Sequence, residues 1–485
     1  MTTTTITRPI VSWISRAAST KPMMVVLALS LGLGVGLLIA SPSGEMVASI
    51  VLMLVPLTII LIDPLLGVVT WLMLEPFSQF IYLDIKFGAS VPDISLARFT
   101  IAVTLAMLLA QAAIGRRRLT RMTLLEWAMV LTMIGIGQSV ANGRNLSSDL
   151  QHFFDYIVVP FLVFYIAKNL VTDRRSLNRV LAAVFIIGLY AAVYGVYTQL
   201  TGNVYFVSAE ALKINSAYYS THLRIMRGLL GAPHIFGMAF NLAIPVTFYF
   251  LLKAPSRTRK VLYAAALVVL MLAMFLTYKR TAWIALLGSF AVIQFFYPQF
   301  RRLFYVLLVA AVVLVALNID EVNNSAVVTE RLNAKTDSLN GRTERWDVAA
   351  QLWQERPIAG QGYNKFSALN DQYTAIESQY WNILVSAGLL GFAPYVLMMI
   401  LIVRDSLAQY RRTRNGALVS KELIVVFWGV MAAYLISMYT VVLNSHLMHN
   451  LFFLLLGAIV GSQSHLIERR TEDKNTLASG HGEQG

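Results

Sequence analysis

Long apolar runs alternate with short polar intervals along most of this chain. From residue 23 to residue 464, fourteen runs contain few charged residues. Each run is close to the roughly 20 residues that a helix needs to cross the hydrocarbon core of a membrane. The pattern therefore predicts an all-α polytopic membrane protein with about 14 transmembrane helices. We expect helices 1–11 within residues 1–318, helices 12–14 within 379–464, and a disordered cytoplasmic tail at 465–485.

The longest polar interval, residues 319–378, separates the eleventh run from the twelfth. Its Asn340-Gly341 pair is a turn signal, and Asn340 is a candidate cap for a following helix. That helix would end before Pro357. One of its faces has guanidinium groups at the start and apolar side chains beyond: Arg342, Arg345, Ala349, Leu352 and Trp353. We predict an amphipathic helix over residues 342–355, lying along the outer membrane face.

Composition supports the membrane assignment. The chain is 57% hydrophobic and 13% charged, whereas about 25% of the residues of a soluble domain are charged. It contains no cysteine, which excludes disulfides and thiolate metal sites. A net charge of +14 would indicate nucleic-acid binding in a soluble protein, but here most of the excess lies in short loops. We therefore expect no nucleic-acid partner.

The distribution of lysine and arginine predicts the orientation. With the N-terminus inside, 25 of the 39 lysine and arginine residues lie on inner segments. Cytoplasmic loops carry this excess in multi-pass proteins. We therefore expect both termini in the cytoplasm and the 319–378 loop in the periplasm or at the cell exterior.

The outer segments nevertheless contain an unusual group of cations. Paired arginines suit a phosphate or diphosphate, because each planar guanidinium donates two hydrogen bonds. Arg280 lies in a very short turn between two spans, where an ionisable group is costly unless it is paired or functional. The outer cations are Lys213, Arg224, Arg227, Lys279, Arg280, Arg342, Arg345, Arg356 and Lys365.

Each candidate also has a structural alternative. Lys279 and Arg280 could be interfacial anchors whose charges reach the headgroups, and the arginines of the loop helix could pair with nearby loop acids. Glu377 could cap the span that begins at residue 379. His446 and His449 are spaced like metal ligands, but the sequence offers no convincing third ligand, so no metal site is predicted.

Several motifs together resemble the O-antigen ligase and Wzy-type polysaccharide polymerase superfamily. The resemblance covers residues 224–391 and is weak elsewhere. Its motifs are Arg227-Gly228 with Pro233-His234, Arg280-Thr281-Ala282-Trp283, Gly341-Arg342 with Trp346, Pro357 with Gly360-Gln361-Gly362, and Tyr380 with Gly388-Leu389-Leu390-Gly391.

The resemblance implies a metal-independent glycosyltransferase, without cofactor, in the bacterial inner membrane. Its donor and acceptor would be glycans on an undecaprenyl-diphosphate carrier. The expected protein partners are a flippase and a chain-length regulator. Arg280 and Arg342 match the arginines thought to hold the donor diphosphate. Further substrate-binding candidates are Arg224, Arg227, His234, Lys279, Arg345, Tyr363 and Tyr380.

One departure from the family pattern bears on the activity. Ligases of this family place a histidine where this chain has Glu377. We therefore favour a polymerase of an exopolysaccharide, capsule or O-antigen, with Glu377 as the base that deprotonates the acceptor hydroxyl. One alternative is a ligase that transfers the glycan to lipid A core or to a protein. Another is a flippase or transporter of lipid-linked oligosaccharides, but the cations lie at span ends and in one outer loop, which favours an enzyme.

Overall fold

A computed structural model describes residues 54, 57–80, 95–203, 226, 228–298, 301, 305, 309, 335–370, 373, 375–413, 417–440 and 445–461. The described residues are almost entirely helical, as expected. Seven of their helices are long and apolar enough to cross a membrane. The predicted first span, most of the span at 303–318, and the tail at 465–485 lie outside the described residues.

Thirteen helices are labelled here in chain order within the described ranges. They are α1 (Pro64–Leu74), α2 (Leu96–Ala113), α3 (Leu124–Ala141), α4 (Leu146–Leu170), α5 (Arg174–Thr201), α6 (Pro233–Lys253), α7 (Arg257–Leu276), α8 (Arg280–Phe296), α9 (Lys335–Glu355), α10 (Phe366–Leu369), α11 (Gln379–Arg412), α12 (Lys421–Thr440) and α13 (His446–Gly461). A 3₁₀ turn, Glu75–Phe80, follows α1. A π-helical turn, Phe154–Val158, interrupts α4.

Short polar residues start these helices, although the helices themselves are apolar. The Asp173 carboxylate accepts a hydrogen bond from the Ser176 amide at 2.7 Å at the start of α5. Thr123 and Glu126 form a capping box at the start of α3. Such caps satisfy amides that have no partner within the helix. They fix where each apolar segment begins.

Contacts between helix ends define two ends of the bundle. At one end, Lys168 of α4 pairs with Glu126 of α3, and both side chains are buried. At the same end, Lys253 of α6 lies 3.0 Å from Glu422 of α12. The described part of the 319–378 loop, residues 335–370, 373 and 375–378, docks at the other end, here called the site end. The sequence predicts that the site end faces outward.

Helix α11 is broken at Gly388, and the preceding loop enters the break. Gly388 has φ +61° and ψ −158°, a conformation that is essentially restricted to glycine. The amides of Leu389 and Leu390 bond the carbonyls of Pro357 and Ile358, at 2.9 and 3.1 Å. On the other side of the break, the Gln361 and Gly362 amides bond the carbonyls of Val385 and Ser386, at 2.8 and 3.0 Å. The Gly360-Gln361-Gly362 motif therefore serves as an insert that completes a membrane helix.

One local prediction was wrong. The Asn340-Gly341 pair forms neither a turn nor a cap, because α9 begins at Lys335 and continues through both residues. Packing of the helix after Gly341 explains why it continues through this pair. Two side chains of α9, Ala349 and Leu352, belong to an apolar cluster. Its other buried members are Phe366, Ile376 and Val385. Tertiary burial of a helix face outweighs the preference of one dipeptide. The predicted end of the helix before Pro357 is confirmed.

Candidate functional site

Two arginines of α9 converge on Glu377. Arg342 Nε donates to Glu377 Oε2 at 3.0 Å, and Arg345 Nη1 lies 2.5 Å from Oε1. The three side chains are 33%, 27% and 40% exposed, so the group is reachable from solvent. The spacing of the two arginines, one turn apart on one face of α9, is the one that the sequence predicts. Their carboxylate partner lies 35 residues beyond Arg342.

Aromatic residues pack on Arg345 and on the neighbouring part of α9. Arg345 lies over the Tyr373 ring, 5.4 Å from its centroid, and the Tyr373 hydroxyl donates to Glu344 at 2.6 Å. Trp346 packs edge-on against Tyr439 at 5.2 Å between ring centroids. The α9 helix is thereby fixed against α12 and its own loop.

Glu377 does not cap α11. The N-cap residue is Ser378, which makes no capping hydrogen bond through its side chain, and the Glu377 oxygens face the arginines instead. Glu377 also has φ +56°, in the left-handed region that a residue with a side chain rarely adopts. Strained backbone of this kind clusters at functional sites. The capping alternative is therefore wrong.

The arginines control the protonation of Glu377. Burial alone would raise the pKa of this carboxyl. The hydrogen bonds and charges of Arg342 and Arg345 outweigh that effect and hold the pKa below its ordinary value. Glu377 is therefore ionised at neutral pH and is a weak base while both guanidiniums are bound to it.

His234 and Lys279 lie in the same neighbourhood. His234 is the second residue of α6, and its imidazole is within electrostatic range of both Lys279 and Glu377. His234 Nε2 is buried and has no hydrogen-bond partner among the described residues. An unpartnered buried nitrogen costs free energy unless a ligand satisfies it.

Arg280 is the first residue of α8, next to Lys279, and its side chain is exposed. The turn before it is rigid, because Trp283 Nε1 donates to the Met274 carbonyl at 2.9 Å and the Trp283 ring stacks on Phe275. Within the described ranges, no contact joins Arg280 to Arg342 or Glu377. Their action on one diphosphate stays a prediction. Arg224 and Arg227 lie outside the described residues.

The two candidate tyrosines have different environments. The Tyr380 hydroxyl donates to the Leu435 carbonyl at 3.2 Å, and its ring packs near Tyr395, so it joins α11 to α12. Tyr363 instead lines a cavity of about 510 Å³ at the site end. Burial raises the pKa of Tyr363, which therefore stays protonated at neutral pH.

Two ion pairs near Tyr156, which lines this cavity, are absent from the sequence-based candidates. Arg98 forms a two-pronged pair with Asp155, at 2.9 and 2.7 Å, and His446 Nε2 pairs with Glu75. The sequence does contain a signal for the Arg98–Asp155 pair. Asp155 lies within an apolar run that is otherwise typical of a membrane span, and a charged residue at such a position indicates an ion-pair partner or a function. The cations at span ends and in the outer loop were the charges weighed from the sequence, so Asp155 was not considered as the partner of Arg98, which lies at the start of α2.

The two histidines of α13 have protein partners. Besides the bond of His446 to Glu75, His449 Nδ1 bonds the Tyr434 hydroxyl at 2.6 Å. Within the described part of the chain, no group of three His, Asp or Glu side chains could hold a metal ion.

The helices and the cationic cluster define an integral membrane protein with a polar site at one end of its bundle. Residues 265–396 match the family model described as O-antigen ligase. The match supports the resemblance of this segment to the O-antigen ligase and Wzy-type superfamily, whose members are membrane glycosyltransferase-like enzymes. The match runs from α7 through Arg280, Arg342 and Glu377 to the broken helix α11. No curated protein matches the chain.

Proposed function

We propose that this protein is a polysaccharide polymerase. It transfers a growing glycan from an undecaprenyl-diphosphate carrier to the next lipid-linked repeat unit at the outer face of a bacterial inner membrane. The convergence of Arg342 and Arg345 on one carboxylate is the observation that carries the proposal. Two guanidiniums arranged around one anionic group are also arranged for a diphosphate, whose oxygens accept the same paired hydrogen bonds.

The reaction would proceed at the anomeric carbon of the donor. The acceptor hydroxyl oxygen forms the new bond to that carbon, the bond between the carbon and the phosphate oxygen breaks, and undecaprenyl diphosphate leaves with both bonding electrons. Arg280, Arg342 and Arg345 stabilise the charge that develops on the leaving diphosphate. Glu377 accepts the proton of the acceptor hydroxyl.

The arginine pair reconciles the low basicity of Glu377 with this role. When the donor diphosphate takes over hydrogen bonds from Arg342 and Arg345, the carboxylate loses the partners that hold its pKa low. A nearby diphosphate adds negative charge, which raises the pKa further. Glu377 would thus become a stronger base only when the donor is bound.

A ligase is the second candidate, because the matching family model is described as O-antigen ligase. Deleting the gene in its native organism separates the two activities, and the sugars need not be identified first. Loss of a polymerase leaves single repeats on the lipid carrier, whereas loss of a ligase leaves long chains on it. Mass spectrometry of extracted lipid-linked glycans distinguishes these results. Long carrier-linked chains in the deletion strain would overturn the polymerase proposal.

A further inference from the structure

The 510 Å³ cavity at the site end has a different chemistry from the arginine cluster. Its walls come from the start of α4, the segment after Gly362 and the first turns of α11. Ligand pockets in proteins usually have volumes of about 300–1,000 Å³. This cavity is therefore large enough for one or more sugar rings.

One buried carboxylate links two parts of the cavity wall. Asp149 is 2% exposed, and its oxygens accept hydrogen bonds from the Asn145 amide and from Asn364 Nδ2, both at 2.9 Å. The second bond joins α4 to the loop that precedes α11. Because protein donors already occupy Asp149, it shapes the cavity and adds little free charge to it.

Other lining groups have unused hydrogen-bonding capacity. Arg144, His152 and Asn382 line the cavity, and within the described ranges no hydrogen bond ties down their side chains. The Asn382 amide both donates and accepts, the Arg144 guanidinium donates, and a neutral imidazole does either. A sugar hydroxyl also donates and accepts, so this set suits a saccharide.

An aromatic surface completes the cavity. The rings of His152 and Tyr156 stack 5.3 Å apart at an interplanar angle of 11°. Both residues line the cavity, and Tyr156 belongs to the π-helical turn of α4. Such turns are frequent at functional sites. The apolar C–H face of a pyranose packs on a flat ring whose face is electron-rich.

The cavity adjoins the arginine cluster through one short segment. Ile376 and Gln379 line the cavity, whereas Glu377 between them bonds Arg342 and Arg345. Two residues of chain, at most about 7 Å, separate Glu377 from Gln379. A saccharide in the cavity would therefore have one end close to the site proposed for the diphosphate.

We propose that this cavity binds the acceptor glycan. The occupant is a hydroxyl-rich saccharide, namely the non-reducing end of the lipid-linked repeat unit. This assignment rests on the proposed function, in which the arginine cluster takes the donor diphosphate. Arg144, His152 and Asn382 hold the sugar hydroxyls, and the His152–Tyr156 surface supports one ring.

Direct binding to the purified full-length protein tests the assignment. The probe is the oligosaccharide released by mild acid from the lipid-linked glycans of the deletion strain, and saturation-transfer NMR measures its binding. Each of His152→Ala and Asn382→Ala should weaken binding about tenfold, since each removes hydrogen bonds to the sugar. Ser148→Trp should abolish binding by filling the cavity, because Ser148 also lines it. Gln151→Ala, next to His152 but outside the lining, is the matched control.

The possible outcomes distinguish a failure of the cavity assignment from a failure of the proposed polymerase reaction. Unchanged saccharide binding in all three cavity variants would overturn the cavity assignment, even if Arg342→Lys abolished polymer formation. Loss of binding in these variants with no polymer from wild-type protein would support a saccharide site and overturn the polymerase. Binding of lipid A core oligosaccharide, but not of the repeat, would assign the cavity to the acceptor of a ligase. Thermal stability within the range of the Gln151→Ala control excludes unfolding as the cause.

Discussion

Arg342 Nε donates to Glu377 Oε2 at 3.0 Å, across 35 residues of chain. The bond joins the first half of α9 to a residue two positions before the membrane helix α11. It brings the proposed diphosphate ligand and the proposed base into direct contact. Each therefore controls the charge state and the position of the other.

The first prediction concerns the arginines. Arg280→Lys and Arg342→Lys should each impair polymer formation strongly, because an ammonium cannot reproduce the planar two-pronged contact. If both arginines act on one diphosphate, the transition-state stabilisation lost in the double variant should be smaller than the sum of the losses in the two single variants. Polymer yield at equal membrane levels of protein is the measurement. Arg356→Lys is the control, because Arg356 lies in the same loop as Arg342 and its side chain is exposed. Near wild-type polymer from Arg280→Lys would restore the interfacial-anchor alternative.

The second prediction concerns Glu377 as a base. Glu377→Gln keeps the shape of the side chain but removes its basicity, so transfer between purified lipid-linked repeats should slow by about 10²–10⁴-fold. Glu377→His should retain part of the activity, because histidine accepts protons near neutral pH. Asp347→Asn, an exposed carboxylate of α9, should leave the rate unchanged. A Gln variant as fast as wild type would remove Glu377 from the proton-transfer step.

The third prediction follows from the lowered pKa of Glu377. A carboxyl whose pKa is lower in the folded state stabilises that state above its unfolded pKa, and the contribution is lost as pH falls through the folded pKa. The thermal stability of wild type should therefore exceed that of Glu377→Gln at neutral pH. The difference should persist at pH 4.5, the ordinary value for this group, and diminish below it. Loss of the difference already between pH 6 and 5 would contradict the arginine pairing.

The fourth prediction concerns the break in α11. A Cβ on Gly388 would lie 2.3 Å from the Ile358 carbonyl oxygen, at a backbone conformation that non-glycine residues avoid. Gly388→Ala should therefore destabilise the protein by about 1–3 kcal/mol or more. Gly341→Ala is the matched control, because nothing lies within 4 Å of its added methyl and α9 gains a better helix former. Thermal unfolding in detergent distinguishes them, and equal stabilities would contradict the strained conformation.

Local patterns predicted the helices and the cationic face, because membrane spans and amphipathic helices depend on residues that are close in sequence. The spacing of Arg342 and Arg345 on one face of α9 needed only the helical period. Their pairing with Glu377 depended on how the loop folds back, which no local pattern encodes. The Asn340-Gly341 signal failed for the same reason, since distant apolar residues decided the conformation there.

The sequence around Gly388 did not predict the break in α11. Gly388-Leu389-Leu390-Gly391 lies inside an apolar run that reads as an ordinary span. Backbone groups of residues 357–362, a segment about thirty residues earlier, form the hydrogen bonds that make the interruption tolerable. The cavity likewise combines residues from α4, the loop and α11, and no single motif contains it.

The inserted loop also has a consequence for biogenesis. An open amide in hydrocarbon costs several kcal/mol, so the two halves of α11 are incomplete as an independent membrane segment. The residues that complete α11 leave the ribosome before it does and must fold back as it inserts. Maturation of this span is therefore coupled to the return of the loop. Excising residues 357–362 would remove backbone hydrogen bonds from the transmembrane bundle as well as a part of the 319–378 loop.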